Sequence, residues 1–268
     1  MIKGALLTTA NILSKPLYQG NLINNRYEIM EFLGRGSYGN SYLVFDREKR
    51  SQVVLKLLRK HKMIFKAGMN SFKQEQEILQ FLNHRYFPTL YEKGEFRGTP
   101  FYTMEFVNGK TYEQLIFQEG KTFSEKESFH VGNQLLLIID WLHHKKIVHR
   151  DIRIPNVMIE ENQIKLIDFG LARRFDEHHL PELDLDRIKR MESPVSDYYA
   201  LGHFLLFLLY STYEFTGTKQ DRSWEEELDL TDSARRIIRK LLVLEEPYQS
   251  CFEIKQDFLK IQSECFSS

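Results

Sequence analysis

His149-Arg150-Asp151-Ile152-Arg153-Ile154-Pro155-Asn156 follows directly on the apolar pair Ile147-Val148. It sets Asp151 and Asn156 five positions apart, with Arg153 between them. A carboxylate can accept a proton or hold a cation, and an amide oxygen can hold a cation. A loop that carries both types at this spacing can carry chemistry as well as turn the chain.

The rest of the 268-residue chain sets bounds on that reading. Its length suits one large domain or two small lobes. Lys+Arg and Asp+Glu both number 37, so the strongly basic footprint of a general nucleic-acid binder is absent. Hydrophobic residues make up 42% and charged residues 28%, ordinary values for a folded soluble protein. Cys251 and Cys265 form neither a disulfide framework nor a metal-type spacing, which fits a cytoplasmic protein. The first residues, MIKGALLTTANILSKPL, lack the long apolar region of a signal peptide. Tyr198–Tyr210 is the most apolar segment. Its thirteen residues are too short to span a bilayer and His203 interrupts it, so a buried core helix is expected and no transmembrane segment.

Periodicity divides the chain. Residues 1–24 show no clear period and read as an N-terminal extension that packs weakly or adds an irregular edge. Tyr27–Leu33, Ser41–Phe45 and Gln52–Leu58 read as strands. Phe72, Ile78, Leu79 and Leu82 mark a helix over about 70–82. Thr89–Tyr91 and Phe101–Val107 are strand-like. After Asn108-Gly109 the pattern turns helical. Ser124 and Glu127 make a capping box that opens a helix to about Lys145. Val157–Ile167 is strand-like, and helices follow near 196–212, 232–244 and 249–262.

Four more constellations carry chemistry. Gly34-Arg35-Gly36-Ser37-Tyr38-Gly39 lies between two expected strands, where glycines let backbone amides close over phosphates. A plain hairpin turn explains it equally well, and it opens no helix as a dinucleotide-binding fingerprint must. Lys56 ends the run Val53-Val54-Leu55-Lys56, where a solvated lysine is the plainer account. Glu75 lies on the next helix with the apolar stripe, and Glu77 competes for the same role. Asp168-Phe169-Gly170 follows Ile164–Ile167, and suits a metal-binding carboxylate or a simple tight turn.

All five features in this order change the balance. The chain resembles the eukaryotic-like, Hanks-type protein kinase family, most of all its short single-domain bacterial serine/threonine members, over roughly residues 26–262. The resemblance implies an α+β, two-lobed protein-kinase-like fold: a small antiparallel-sheet lobe with one helix, residues 25–107, and a larger, mostly helical lobe, residues 108–268. It implies an ATP-dependent phosphotransferase that moves the γ-phosphate to a Ser/Thr hydroxyl of a protein. Asp151 would accept the hydroxyl proton, and Asn156 and Asp168 would hold Mg²⁺, or Mn²⁺, against the triphosphate. Lys56 would contact the α/β-phosphates, oriented by Glu75, and residues Gly34 to Gly39 would cover them. Arg153 would stand near the transferring phosphate. Met104 matches the gatekeeper, backbone groups of Glu105 and Val107 would meet the adenine edge, and Val54 and Met158 would sandwich the ring. Ser41 stands where the family usually has Val, making that face more polar. Asp197 matches the helix residue that braces the catalytic loop.

The chain also departs from the family. The interval from Gly170 to Asp197 is short, and no A-P-E motif is present. The Arg that would pair with that Glu is missing too: Pro247 is followed by Tyr248-Gln249-Ser250. No Ser, Thr or Tyr lies between Gly170 and Glu192. The expectation is that Asp176, Glu177, Glu182, Asp184 or Asp186 pairs with Arg150 and holds the segment without phosphorylation. The short segment also leaves a small-molecule kinase open, and a nucleotide-binding pseudokinase scaffold is the remaining alternative. The basic stretch Arg59–Lys62, continuing to Lys66, reads as a solvated loop, with docking to an acidic partner or anionic membrane as the other reading.

Overall fold

The structure is a computed structural model that describes residues 16–214 and 222–264. The chain forms two compact units. The first holds residues up to Asn108 together with Phe169–Leu171, and the second holds Gly109–Asp168 and the remainder from Ala172.

The first unit is built on β1 (Leu22–Ile23), β2 (Tyr27–Arg35), β3 (Gly39–Asp46), β4 (Ser51–Leu58), β5 (Leu90–Phe96) and β6 (Thr99–Glu105). They form one antiparallel sheet in the order β1-β2-β3-β4-β6-β5. Two helices, α1 (Lys60–Met63) and α2 (Lys66–Phe81), connect β4 to β5. The β3 and β4 runs are rich in Val, Leu, Tyr and Phe, side chains that pack well on a pleated surface. Tyr42, Val44, Val53, Leu55 and Phe101 share one face with Ile23, Tyr27 and Ile29 and form its core. Each fully buried aliphatic side chain there contributes about 1.5–3 kcal/mol. On α2, Phe72 packs against Tyr102 of β6, with ring centroids 5.3 Å apart. The helix starts four residues earlier than the apolar period shows, at Lys66.

The second unit is mostly helical: α3 (Tyr112–Phe117), α4 (Glu125–His144), α5 (Pro194–Leu209), α6 (Trp224–Glu227), α7 (Asp232–Leu241) and α8 (Cys251–Glu264). Short strands interleave: β7 (Lys110–Thr111), β8 (Ile147–Val148), β9 (Val157–Glu160), β10 (Gln163–Leu166) and β11 (Arg173–Arg174). The capping box at Ser124 forms as expected, with Ser124 N donating to Glu127 Oε2 at 2.9 Å and Glu127 N to Ser124 Oγ at 3.3 Å. The apolar Tyr198–Tyr210 run is the core helix α5. A Cβ at Gly132 on α4 would lie 2.7 Å from Leu205 Cδ2, so glycine there sets how closely α4 and α5 approach. Phe129 meets Phe258 of α8 edge-on at 5.3 Å. Among the described residues no helix is long and apolar enough to cross a membrane.

Three elements differ from the sequence reading. Val157–Ile167 is a hairpin, β9 and β10, turned by Glu161 and Asn162 with φ of 48° and 66°. The basic stretch after β4 is partly helical, as α1, and buries His61. After Asn108-Gly109 the two-residue strand β7 comes first, and helix α3 begins only at Tyr112. Of the N-terminal extension, residues 1–15 lie outside the described residues, as does Cys265. Leu22–Ile23 pairs with β2, and Ile23 is wholly buried.

Candidate active site

Pairing register explains why one face of the first unit's sheet collects the expected nucleotide contacts. Ser41 of β3 lies opposite Lys56 of β4, and Leu43 opposite Val54. On the far side of β4, Val54 lies opposite Met104 and Lys56 opposite Tyr102. Side chains two apart on a strand share a face. Ser41, Val54, Lys56 and Met104 therefore look the same way, while Tyr42, Val53 and Leu55 fill the core behind them.

Lys56 is 3% exposed and its Nζ lies 2.6 Å from Glu75 Oε1, on a side chain 1% exposed. Glu77 points elsewhere: it is 59% exposed and sits 3.9 Å from Lys73. The helical period places both acids near the inward stripe, and only the packed structure separates them. The loop Gly36–Tyr38 closes with Gly36 N donating to Gly39 O at 2.9 Å. Gly39 sits directly over Lys56: a Cβ there would be 2.9 Å from Lys56 Cγ and 3.1 Å from Leu57 O. Gly34 has φ of 150°, reached easily only without a side chain. At the end of β6, Glu105 N donates to Thr89 O at 2.8 Å, and Val107 is buried.

In the second unit, Arg150 departs from β8 with φ of 66°, and Asp168 leaves β10 with φ of 62°. Non-glycine residues in this region store local strain and persist only where surroundings over-determine them. Asp197, near the start of α5 and wholly buried, supplies that restraint. Its Oδ2 accepts from His149 N at 2.9 Å and from His143 Nε2 at 2.9 Å, and its Oδ1 accepts from Arg150 N at 2.8 Å. Burial alone would raise the Asp197 pKa. The hydrogen bond and charge of His143 and the Arg150 amide outweigh it and hold the group low.

His149 ties the two strained turns together. Burial lowers its pKa, and its Nδ1 accepts a backbone N–H, as only a ring with an unprotonated Nδ1 can. Nε2 then donates to Ile167 O at 3.2 Å, while Nδ1 accepts from Asp151 N at 3.3 Å. The chain leading into Asp168 is thereby tied to the loop carrying Asp151.

Asp151 is 22% exposed and lies 3.1 Å from Arg153 Nε. Burial raises its pKa, Asp168 adds to the rise, and Arg153 and Asn156 oppose it. Asn156 Nδ2 donates to both Asp151 O and Asp151 Oδ2, each at 2.8 Å. The amide's Oδ1 is thereby left as its acceptor. Met158 lies on β9, half-buried, opposite Lys165 and Thr111. Phe169 belongs to the first unit, where it meets Phe87 edge-on at 5.4 Å.

Arg150 has a carboxylate close by, but outside the five named from the sequence. Its Nη1 lies 3.8 Å from Glu192 Oε1, and its guanidinium also donates to Arg190 O. Arg173 Nε lies 4.0 Å from the same Glu192 oxygen. Glu177 instead pairs with Lys146.

Comparison with known proteins decides the family. The protein kinase domain model matches residues 27–268. The chain belongs to the protein kinase domain family. It is 35% identical over 246 residues to the probable serine/threonine-protein kinase YbdM of Bacillus subtilis, covering 92% of this chain and 93% of that one. It is 30% identical to serine/threonine-protein kinase PrkC of the same organism, over 74% of this chain and 32% of the relative. Against NUAK family SNF1-like kinase 1 of Mus musculus it is 29% identical over 86% of this chain, which spans 38% of that relative. The fold expected from the sequence holds in each unit: an antiparallel sheet with one main helix, and a mostly helical unit.

Proposed function

We propose that this protein kinase transfers the γ-phosphate of ATP to a Ser or Thr hydroxyl of a protein, with Asp151 accepting the hydroxyl proton. The observation that carries the reading is the Asp151 carboxylate itself. It is partly exposed, raised in pKa, and fixed in direction by Asn156 Nδ2. A general base works best with a pKa drawn toward the operating pH and a fixed aim at its proton.

The donor set fits Mg²⁺. Asn156 Oδ1 and the Asp168 carboxylate are hard oxygen ligands, and Mg²⁺ takes one or two protein oxygens with the rest from phosphates and water. When bound, the ion would neutralise charge on the phosphates. Lys56, held by Glu75, binds the α/β-phosphates, and the amides of Gly34 to Gly39 cover them. Arg153 places a second cation beside the base, where its planar fork suits phosphate oxygens. Glu105 and Val107 bind the adenine edge, and Val54, Ser41, Met104 and Met158 line its faces. Phosphoryl transfer needs positioning and charge neutralisation more than covalent help, and these residues supply both. A reaction that consumes ATP fits a cytoplasmic setting.

Incubation of wild type and Asp151→Asn with γ-labelled ATP, Mg²⁺ and generic protein acceptors tests the proposal. Phosphoserine or phosphothreonine made by wild type alone supports it. Labelling of small molecules only would favour the alternative that the short segment after Gly170 suggests. Nucleotide binding without any turnover would overturn the catalytic reading.

A further inference from the structure

The cationic stretch after β4 takes no part in the proposed chemistry. Arg59, Lys60, Lys62 and Lys66 fall within eight residues, and the Gly-rich loop brings Arg35 to them. Arg59 N donates to Tyr38 O at 2.9 Å, Arg59 Nη1 reaches Gly36 O at 3.5 Å, and Lys62 Nζ lies 5.6 Å from the Tyr38 ring centre. Burial and then the Arg35 charge lower the Arg59 pKa, a sign of like charges crowded together.

Nothing nearby neutralises them. Among the described residues no carboxylate lies within ion-pair distance of Arg35, Arg59, Lys60, Lys62 or Lys66. Elsewhere in this net-neutral chain a single cation, Arg26, collects Asp46, Glu48 and Glu92. The helix ends add to the imbalance. Both α1 and α2 start without a side-chain cap and with no acid in the first turn. The partial positive pole of the sixteen-residue α2 therefore reinforces the cations.

Large apolar side chains project from the same turns. Ile64 is 51% exposed, Phe65 42% and Met69 37%. Phe65 N donates to Lys62 O and Met69 N to Phe65 O, so the cations and the apolar groups stand on consecutive turns. Uncompensated cations interspersed with exposed apolar side chains mark surfaces that settle at the headgroup boundary of a bilayer.

We propose that this projection, residues 59–69 with Arg35, docks the kinase on an anionic lipid bilayer. An acidic peptide is the weaker occupant. Extended peptides pair with a sheet edge, but β4 is an interior strand flanked by β3 and β6. The apolar side chains, moreover, stand on helical turns of the surface. A bilayer asks only for projecting charge and apolar tips, and each cation near an anionic leaflet strengthens binding about fivefold.

The test is co-sedimentation of the full chain with vesicles of phosphatidylcholine alone, or mixed three to one with phosphatidylglycerol. Binding is expected only to the mixed vesicles, and it weakens steeply with salt because the screening length falls to about 3 Å at 1 M. Lys60→Glu/Lys62→Glu/Lys66→Glu abolishes it. Ile64→Ser/Phe65→Ser weakens it several-fold at unchanged charge. Both variants keep the wild-type circular dichroism and the wild-type rate on a soluble acceptor. Lys60→Gln/Lys62→Gln/Lys66→Gln is the milder variant should reversal disturb folding, and about a hundredfold loss is expected from its three removed charges. Equal binding to phosphatidylcholine, or undiminished binding by either lysine variant, overturns the proposal. So does tight binding of a soluble glutamate-rich peptide with no binding to vesicles.

Discussion

Lys56 Nζ and Glu75 Oε1 lie 2.6 Å apart with both side chains sealed from solvent, one on a central strand and the other on the helix packed over it. Removing either partner takes from a buried charge the counter-charge 2.6 Å away. Lys56→Met or Glu75→Gln is therefore expected to lose about 3–5 kcal/mol of stability. Replacing both, as Lys56→Met/Glu75→Leu, recovers most of that loss because two apolar groups carry no desolvation penalty. Phosphotransfer is lost in all three. Urea unfolding beside a kinase assay separates the outcomes. Full activity in the double variant would show the pair to be structural alone.

Asp151 sets activity against stability. Its folded pKa is raised, so the protonated form is favoured by the fold, and that contribution is lost as pH rises through the folded pKa. At neutral pH the ionised carboxylate weakens the fold. Asp151→Asn should unfold at a higher temperature than wild type at pH 7, with the difference vanishing in acid. The same substitution should lower kcat about 10²–10⁴-fold. Calorimetry over a pH series and steady-state rates check both halves.

Asp197 has the opposite sign. Its pKa is held low, so its stabilisation is present above the ordinary aspartate pKa and fades as pH falls through the folded value. Asp197→Asn keeps one acceptor oxygen but turns an NH₂ group toward N–H donors. Hydrogen bonds to a charged group contribute about 1.5–3 kcal/mol each, and the variant forfeits at least one. It should be destabilised, and kcat should fall although no reacting atom is touched. An unchanged kcat would mean that Arg150 holds its positive φ without this carboxylate.

Gly39→Ala should raise KM for ATP while leaving the unfolding midpoint within a few degrees. The added methyl displaces the flexible Lys56 stem, 2.9 Å away, more readily than it displaces the backbone oxygen of Leu57. Titration with a fluorescent nucleotide reads the affinity directly.

Much of this arrangement is legible in the chain. Three strands and helix α2 announce themselves through alternating and helical apolar periods. Ser124 and Glu127 mark the start of α4. Helix α3 escapes a reading by apolar period, although Thr111 and Gln114 form a capping box that signals it. Helix α1 escapes because a run of cations carries no apolar period. The choice between Glu75 and Glu77, and the pairing of Arg150 with Glu192 over five other acids, depend on distances across loops. Sequence spacing holds no such information. The strain at Arg150 and Asp168 is equally hidden, since arginine does not signal a positive φ and aspartate signals it only weakly.

Phe169–Leu171 packs with the first unit although more than half the chain precedes it. On the ribosome, the sheet and its helix emerge early, when the neighbouring rings of His84 and Tyr86 are at hand for Phe87 but Phe169 is not yet made. The three residues still missing then are the ones directly behind the proposed metal ligand Asp168. A nascent chain therefore cannot complete the first unit's residues without having already made that carboxylate.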